Sequence, residues 1–174
     1  MEERSAIVTG AASGIGRAIT ERLTADGMRV LAVDLEPAGD GPGEPFAADL
    51  TTRAGNRAAV DAALQRFGRI DAIVPNAGFQ HVAPVAEFPE DRWDALLAIL
   101  LTSPFLLARY AWSELERHGD GRIVVIASAH ALVASPFKAG YVAAKHGALG
   151  LVRTLALEGA EKGITATAVC PGFV

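Results

Sequence analysis

The 174-residue sequence predicts an α/β fold: a doubly wound parallel sheet between helical layers, three-layer α/β/α. Three observations predict it. Short apolar runs recur along the chain and are continuously apolar rather than alternating, as strands covered on both faces require. Segments of helical length and period separate them. Glycines stand just past several of those segments, at Gly27, Gly68, Gly119 and Gly163, where a left-handed cap is favoured. Successive strand–helix–strand units of this kind close with a right-handed crossover.

In chain order, the first run (residues 5–8) stops at Thr9-Gly10, and a helix is expected over 14–26. The second run (29–33) ends on Asp34. Residues 36–45, EPAGDGPGEP, hold three prolines and three glycines, which exclude a helix, so the connection to the third strand is expected to be a loop. Helices over 52–67, 91–117 and 141–161 then alternate with strands over 70–74, 122–127 and 164–169. Within the long helix, residues 95–108 carry no charge. At 14 residues, with Pro104 inside, this stretch is too short to span a bilayer and reads as a buried helix.

Length and composition narrow the class. The sequence is 51% apolar and 21% charged, which is globular, and its length suits one domain over 1–174. A net charge of −4 leaves no electrostatic footprint for nucleic acid or an anionic membrane. Cys170 is the only cysteine, so neither an internal disulfide nor a cysteine-rich metal site is expected. The charged start, MEER, lacks the apolar stretch of a signal peptide, and a cytoplasmic protein is expected.

Two patterns carry chemistry. Residues 9–16, TGAASGIG, join the first strand to the first helix. Gly10, Gly14 and Gly16 let the backbone turn sharply and approach a pyrophosphate, which helix N-terminal N–H groups then hold. Asp34 follows 18 residues after Gly16, where a carboxylate bonds a ribose diol and repels a 2′-phosphate. Leu35 offers no cation to offset that repulsion, so NAD is expected rather than NADP. The competing interpretation is a plain tight turn and a capping aspartate. The second pattern is Tyr141 with Lys145, four apart on a helix face. A neighbouring ammonium favours a phenolate, and bringing a tyrosine from about 10 to about 7 takes roughly 4 kcal/mol. Ser128, at the carboxyl end of the fifth strand, stands where open α/β sheets bind ligands. Taken singly, such a pair is usually a surface contact and such a serine a turn residue.

Together with Asp49-Leu50, Asn76-Ala77-Gly78 and Pro171-Gly172, these motifs occur in the order and spacing of the short-chain dehydrogenase/reductase family, which the chain resembles over its whole length. The resemblance implies a Rossmann-like fold, NAD-dependent oxidoreduction of a small molecule, and a homo-oligomer, dimer or tetramer. It implies Tyr141 as acid/base, Lys145 as its electrostatic partner and Ser128 as substrate orienter. By the same resemblance, Gly10, Ser13, Gly14, Ile15, Gly16 and Asp34 hold the cofactor. So do Asp49, Leu50, Asn76, Ala77 and Gly78, then Tyr141 and Lys145, and finally Pro171, Gly172 and Val174. No metal is implied.

Further stretches, 76–84, 126–130 and 138–147, resemble one branch, the 3-hydroxybutyrate dehydrogenases. In that branch Gln80, His130 and Lys138 would join Ser128 and Tyr141 in binding the substrate, with a cation and donors on its carboxylate. Departures from the family also stand in the sequence. Leu100 occupies the place of an asparagine that helps hold a water near the lysine. Pro75 replaces the first asparagine of its turn, and Phe173 replaces the branch's tryptophan. The stretch given lacks the family's C-terminal strand and lid, so a pocket open on one side is expected. Two rival interpretations stay open: a dinucleotide-binding module with impaired turnover, and a dehydrogenase of another small alcohol or ketone.

Overall fold

The computed structural model describes residues 3–172. Six strands, β1 (Ser5–Thr9), β2 (Arg29–Asp34), β3 (Glu44–Ala47), β4 (Ala72–Val74), β5 (Gly121–Ile126) and β6 (Ile164–Val169), form one sheet. Every pairing is parallel, and the spatial order is β3-β2-β1-β4-β5-β6. The chain runs outward from β1 to β3, then returns to place β4 on the other side of β1. The loops after β1 and β4 therefore diverge at their carboxyl ends and open a crevice, where open α/β sheets bind ligands.

Alternate strand residues serve opposite faces. Ala6, Val8, Val30, Ala32, Ala72 and Val74 pack under helix α1 (Gly14–Ala25), through Ile15, Ile19 and Leu23. Ile7, Leu31, Ile73, Ile123 and Val125 face α2 (Arg53–Phe67), α3 (Glu90–Leu97), α4 (Ser103–Arg117) and α5 (Ala139–Gly159). Both faces being covered explains why the runs are continuously apolar. At the amino end of the sheet, Asp71 accepts hydrogen bonds from the Ser5 N–H (2.7 Å) and from Arg69 through Nε (2.9 Å) and Nη2 (2.6 Å), locking β1 to the start of β4.

The expected long helix is present as α3 and α4 joined by one π turn, Ala98–Thr102, in which the Ser103 N–H donates to Ala98 O, five residues back. Pro104 has no N–H to offer Leu100 O, and the helix widens in the turn just before it. By length and hydropathy residues 90–117 are able to cross a membrane, yet half of the most apolar stretch is buried, as in a core helix.

Small corrections concern ends. Glu44 and Pro45 of the expected loop open β3, an edge strand that tolerates proline. Strand β5 ends at Ile126, so Ser128 stands two residues beyond it and caps a single 3₁₀ turn, Ala129–Ala131. Helix α5 begins at Ala139, two residues earlier than expected.

Candidate active site

The loop between β1 and α1 has the backbone its glycines permit: Gly10 (φ +64°) and Gly14 (φ +52°) are left-handed. At Gly16 a Cβ would collide with the Gly10 carbonyl, because the helix starts directly against the turn. The loop is clamped to its neighbour across the crevice. The buried Thr9 hydroxyl accepts from the N–H groups of Asn76 (2.9 Å) and Ala77 (3.0 Å). In return, Asn76 Nδ2 donates to Thr9 O (2.9 Å) and Gly10 O (3.3 Å). The Asp34 carboxylate is oriented by the N–H groups of Ala12 (3.0 Å) and Leu35 (2.8 Å). Asp49 Oδ1 accepts from Thr51 N–H (2.9 Å) and Oγ1 (2.6 Å), closing a turn. Asn56 Nδ2 holds Leu50 O (2.8 Å), and Asn56 Oδ1 accepts from Ser103 Oγ (2.7 Å).

These residues surround a cavity of about 550 Å³, lined by Gly10, Ser13, Gly14, Ile15, Asp34, Asp49, Leu50 and residues 76–79 among others. Ser13 caps α1 with no side-chain bond to it, and the first-turn N–H groups lack helical partners. A second cavity of about 390 Å³ adjoins it, and both are lined by Ile15, Asn76, Gly78 and Phe79. The structure brings Ser128, Tyr141, Lys145, Gln80, Leu100, Pro171 and Gly172 to this second cavity.

Lys145 is 6% exposed. Its Nζ donates to Ile126 O (2.7 Å) and lies 5.6 Å from the centre of the Tyr141 ring. Burial pulls its ammonium down to about 8, against a smaller opposing pull from Cys170. Ser128 Oγ accepts from the His130 N–H (3.1 Å), which leaves its own proton to give to an oxygen in the cavity.

Comparison with known proteins decides the family: residues 4–174 match the family described as short chain dehydrogenase. The chain belongs to the short-chain dehydrogenase family. It is 41% identical over 184 residues to a D-beta-hydroxybutyrate dehydrogenase of Rhizobium meliloti (strain 1021), covering 98% of this chain and 71% of that protein. It is 38% identical over 187 residues to an uncharacterized oxidoreductase of Bacillus subtilis (strain 168), covering 100% of this chain and 72% of that one. Among solved structures, Thermoplasma acidophilum aldohexose dehydrogenase superposes with a TM-score of 0.93 at 29% identity, over 98% of this chain and 67% of that one.

Short-chain dehydrogenases bind a nicotinamide dinucleotide. The residues present fit one: two adjoining cavities, a glycine turn with no room for a Cβ at Gly16, free helix N–H donors, and a carboxylate beyond them. Of the residues implied for the substrate, Gln80 lines the cavity, whereas His130 and Lys138 do not. Those two pair with each other, Lys138 Nζ to His130 Nε2 at 3.3 Å, and the His130 ring meets Tyr141 edge-on at 6.1 Å between centroids. His130 Nδ1 is buried with no partner among the described residues. The Gln80 loop is tied to the Lys138 segment by Ala83 N–H donating to Phe137 O (2.9 Å). The Pro75 carbonyl accepts from Ile126 N–H (2.9 Å), so this part of the strand ladder is kept although proline has no N–H. Phe173 and Val174 lie outside the described residues.

Sequence reasoning missed Thr9, Asn56, Ser103 and Phe79. Only Thr9 carried a readable signal, a hydroxyl at a strand end directly before the glycine turn. Asn56 and Ser103 meet across 47 positions, and no local pattern reports that.

Proposed function

We propose that this short-chain dehydrogenase is NAD-dependent and interconverts (R)-3-hydroxybutyrate and acetoacetate. One observation carries the proposal: the Lys138–His130 pair flanks Tyr141, while Gln80 enters the cavity that Ser128, Tyr141 and Lys145 share. A small carboxylate is recognised by amide donors such as Gln80 in the cavity, with the Lys138–His130 pair behind Tyr141 adding a nearby cation. The 41% identity to D-beta-hydroxybutyrate dehydrogenases supports the same substrate. The oriented Asp34 carboxylate supports NAD, since it offers acceptors to a ribose diol and repels a 2′-phosphate.

The bound dinucleotide supplies the hydride acceptor. The Ser128 hydroxyl donates a hydrogen bond to the substrate oxygen and orients it. Tyr141 takes the alcohol proton as the carbon is oxidised and returns it in reduction. Lys145, protonated at pH 7 and close to the phenol, favours the phenolate. A homo-oligomer is supported by exposed Phe105 on α4 and Leu157 on α5. A reducing cytoplasm suits a chain with one free cysteine.

A second interpretation, a dinucleotide-binding module without turnover, is favoured by Leu100, which puts an apolar side chain on the cavity beside Lys145. NADH formation from NAD and (R)-3-hydroxybutyrate, run beside the NADP reaction, separates the two. We expect turnover with NAD, falling about 10²–10⁴-fold in Tyr141→Phe. Saturable NADH binding without turnover would overturn the hydroxybutyrate assignment and leave the binding module or a dehydrogenase of another small alcohol or ketone.

A further inference from the structure

Three leucines of the long helix enter spaces left by three glycines: one contact, Leu100 on Gly78, lies in the candidate site, and two seat the helix that carries Tyr141 and Lys145. A Cβ on Gly140 would lie 2.9 Å from Leu96 Cδ1, and one on Gly147 would lie 3.0 Å from Leu101 Cδ2. A Cβ on Gly78 would collide with Leu100 Cδ2. Gly140 and Gly147 are two turns apart on one face of α5, and Tyr141 and Lys145 stand between them. Gly78 belongs to the wall that the two cavities share.

The π turn makes this geometry possible. In an unbroken α-helix, residues five apart point about 140° away from each other at 100° per residue. Widening the turn at Ala98–Thr102 brings Leu96 and Leu101 onto a common face, both against α5. Leu100, between them, is turned onto Gly78 and into the cavity.

We propose that Leu96, Leu100 and Leu101, set by the π turn before Pro104, are positioning residues that fix Tyr141 and Lys145 relative to the cofactor wall. One helix thereby gauges two distances. Leu96 and Leu101 set how closely α5 approaches, and Leu100 sets the same helix against Gly78. The functional consequence rests on the roles proposed above for Tyr141 and Lys145. The chemistry demands such a gauge, because misplacing reacting groups by about 1 Å costs on the order of 10²-fold in rate.

The test fills one space and then relieves it. Gly147→Ala, which asks for a few tenths of an ångström of movement, is expected to lower kcat about 3- to 10-fold while the NADH dissociation constant stays within about twofold. Adding Leu101→Val, which shortens the opposing side chain, is expected to restore most of kcat. A readout free of substrate runs alongside. The chain has two tyrosines, Tyr110 and Tyr141, so protein isotopically labelled only at tyrosine Cζ gives two NMR signals, assigned with Tyr141→Phe. The Tyr141 signal should move in Gly147→Ala and return in the double variant, while Tyr110 stays. If the proposed substrates give no turnover, the substrate assignment fails, and the tyrosine signal still decides the positioning. An unmoved Tyr141 signal in Gly147→Ala, or no recovery in the double variant, overturns the proposal. Should Gly147→Ala not fold, Leu101→Val alone is expected to displace the signal, and an unmoved signal there overturns it equally.

Discussion

On the β1–β2 side of the crevice the candidate site is held by hydrogen bonds to main chain, whereas on the β5–α5 side it is held by side-chain packing and burial. Thr9, Asn76 and Asp34 bond backbone groups of the loops around the larger cavity, and Asp49 and Asn56 each bond backbone as well as one side-chain hydroxyl. Lys145 has its bond to Ile126 O, and its helix is seated by leucines in glycine spaces. The difference follows from what each side must do. A pyrophosphate is recognised by N–H groups, so the backbone itself must be shaped. A proton is moved by a phenol and an amine, so two side chains must be placed and one of them kept dry.

The comparison breaks most sharply at Gly16. Its substitution by alanine drives a Cβ into the Gly10 carbonyl and opens the phosphate turn. We expect NADH affinity to fall at least about 100-fold, or ~2.7 kcal/mol, with the Tyr141 NMR signal of the ligand-free protein unmoved. A Tyr141 signal that moved as well would mean that the two sides are not separately held.

Two buried ionic groups sharpen it, with opposite signs. Burial raises the Asp71 carboxyl, but the Arg69 guanidinium and the Ser5 N–H outweigh this and hold it below the usual carboxylate range. Its folded value is the lower one, so its stabilisation is complete above about pH 4 and is lost as pH falls through the folded value. Asp71→Asn should therefore cost about 3–5 kcal/mol in urea unfolding at neutral pH, and less in acid.

Lys145 is the converse. Burial lowers its ammonium to about 8, while the unfolded chain keeps its proton up to about 10.4. Between those values the unfolded state holds more protons, so stability rises with pH there, and at pH 7 the buried charge costs stability. Lys145→Met should raise unfolding stability at pH 7 by ~1 kcal/mol after the loss of the Ile126 bond, with the gain gone near pH ~10. Turnover should disappear with it. A destabilised Lys145→Met at pH 7 would show that the lysine is structural, like Asp71.

The glycine turn, Asp34 and the Tyr141–Lys145 spacing were legible in the sequence because each is a local pattern with a local physical cause. The sequence also placed the long helix but not the π turn inside it. Pro104 was visible there, while the register it imposes depends on what packs against Leu96 and Leu101. Lys138 was readable as a possible cation for a carboxylate; that it faces His130 rather than lining the cavity was not, because the segment between them is a loop whose path is set by Phe137 and Ala83.

By itself, then, the sequence determined the alternation of buried strands and helices, the phosphate turn and the identity of the groups that handle charge. Propensity, φ restrictions and periodicity act over a few residues and leave their mark there. Only the tertiary structure decided that β4 lies beside β1 so that Asn76 meets Thr9, and that Lys145 is buried against Ile126. It alone set three leucines into three glycine spaces. Those contacts join residues tens of positions apart, and their energies come from burial and close fit, which exist only once the sheet has closed on its helices.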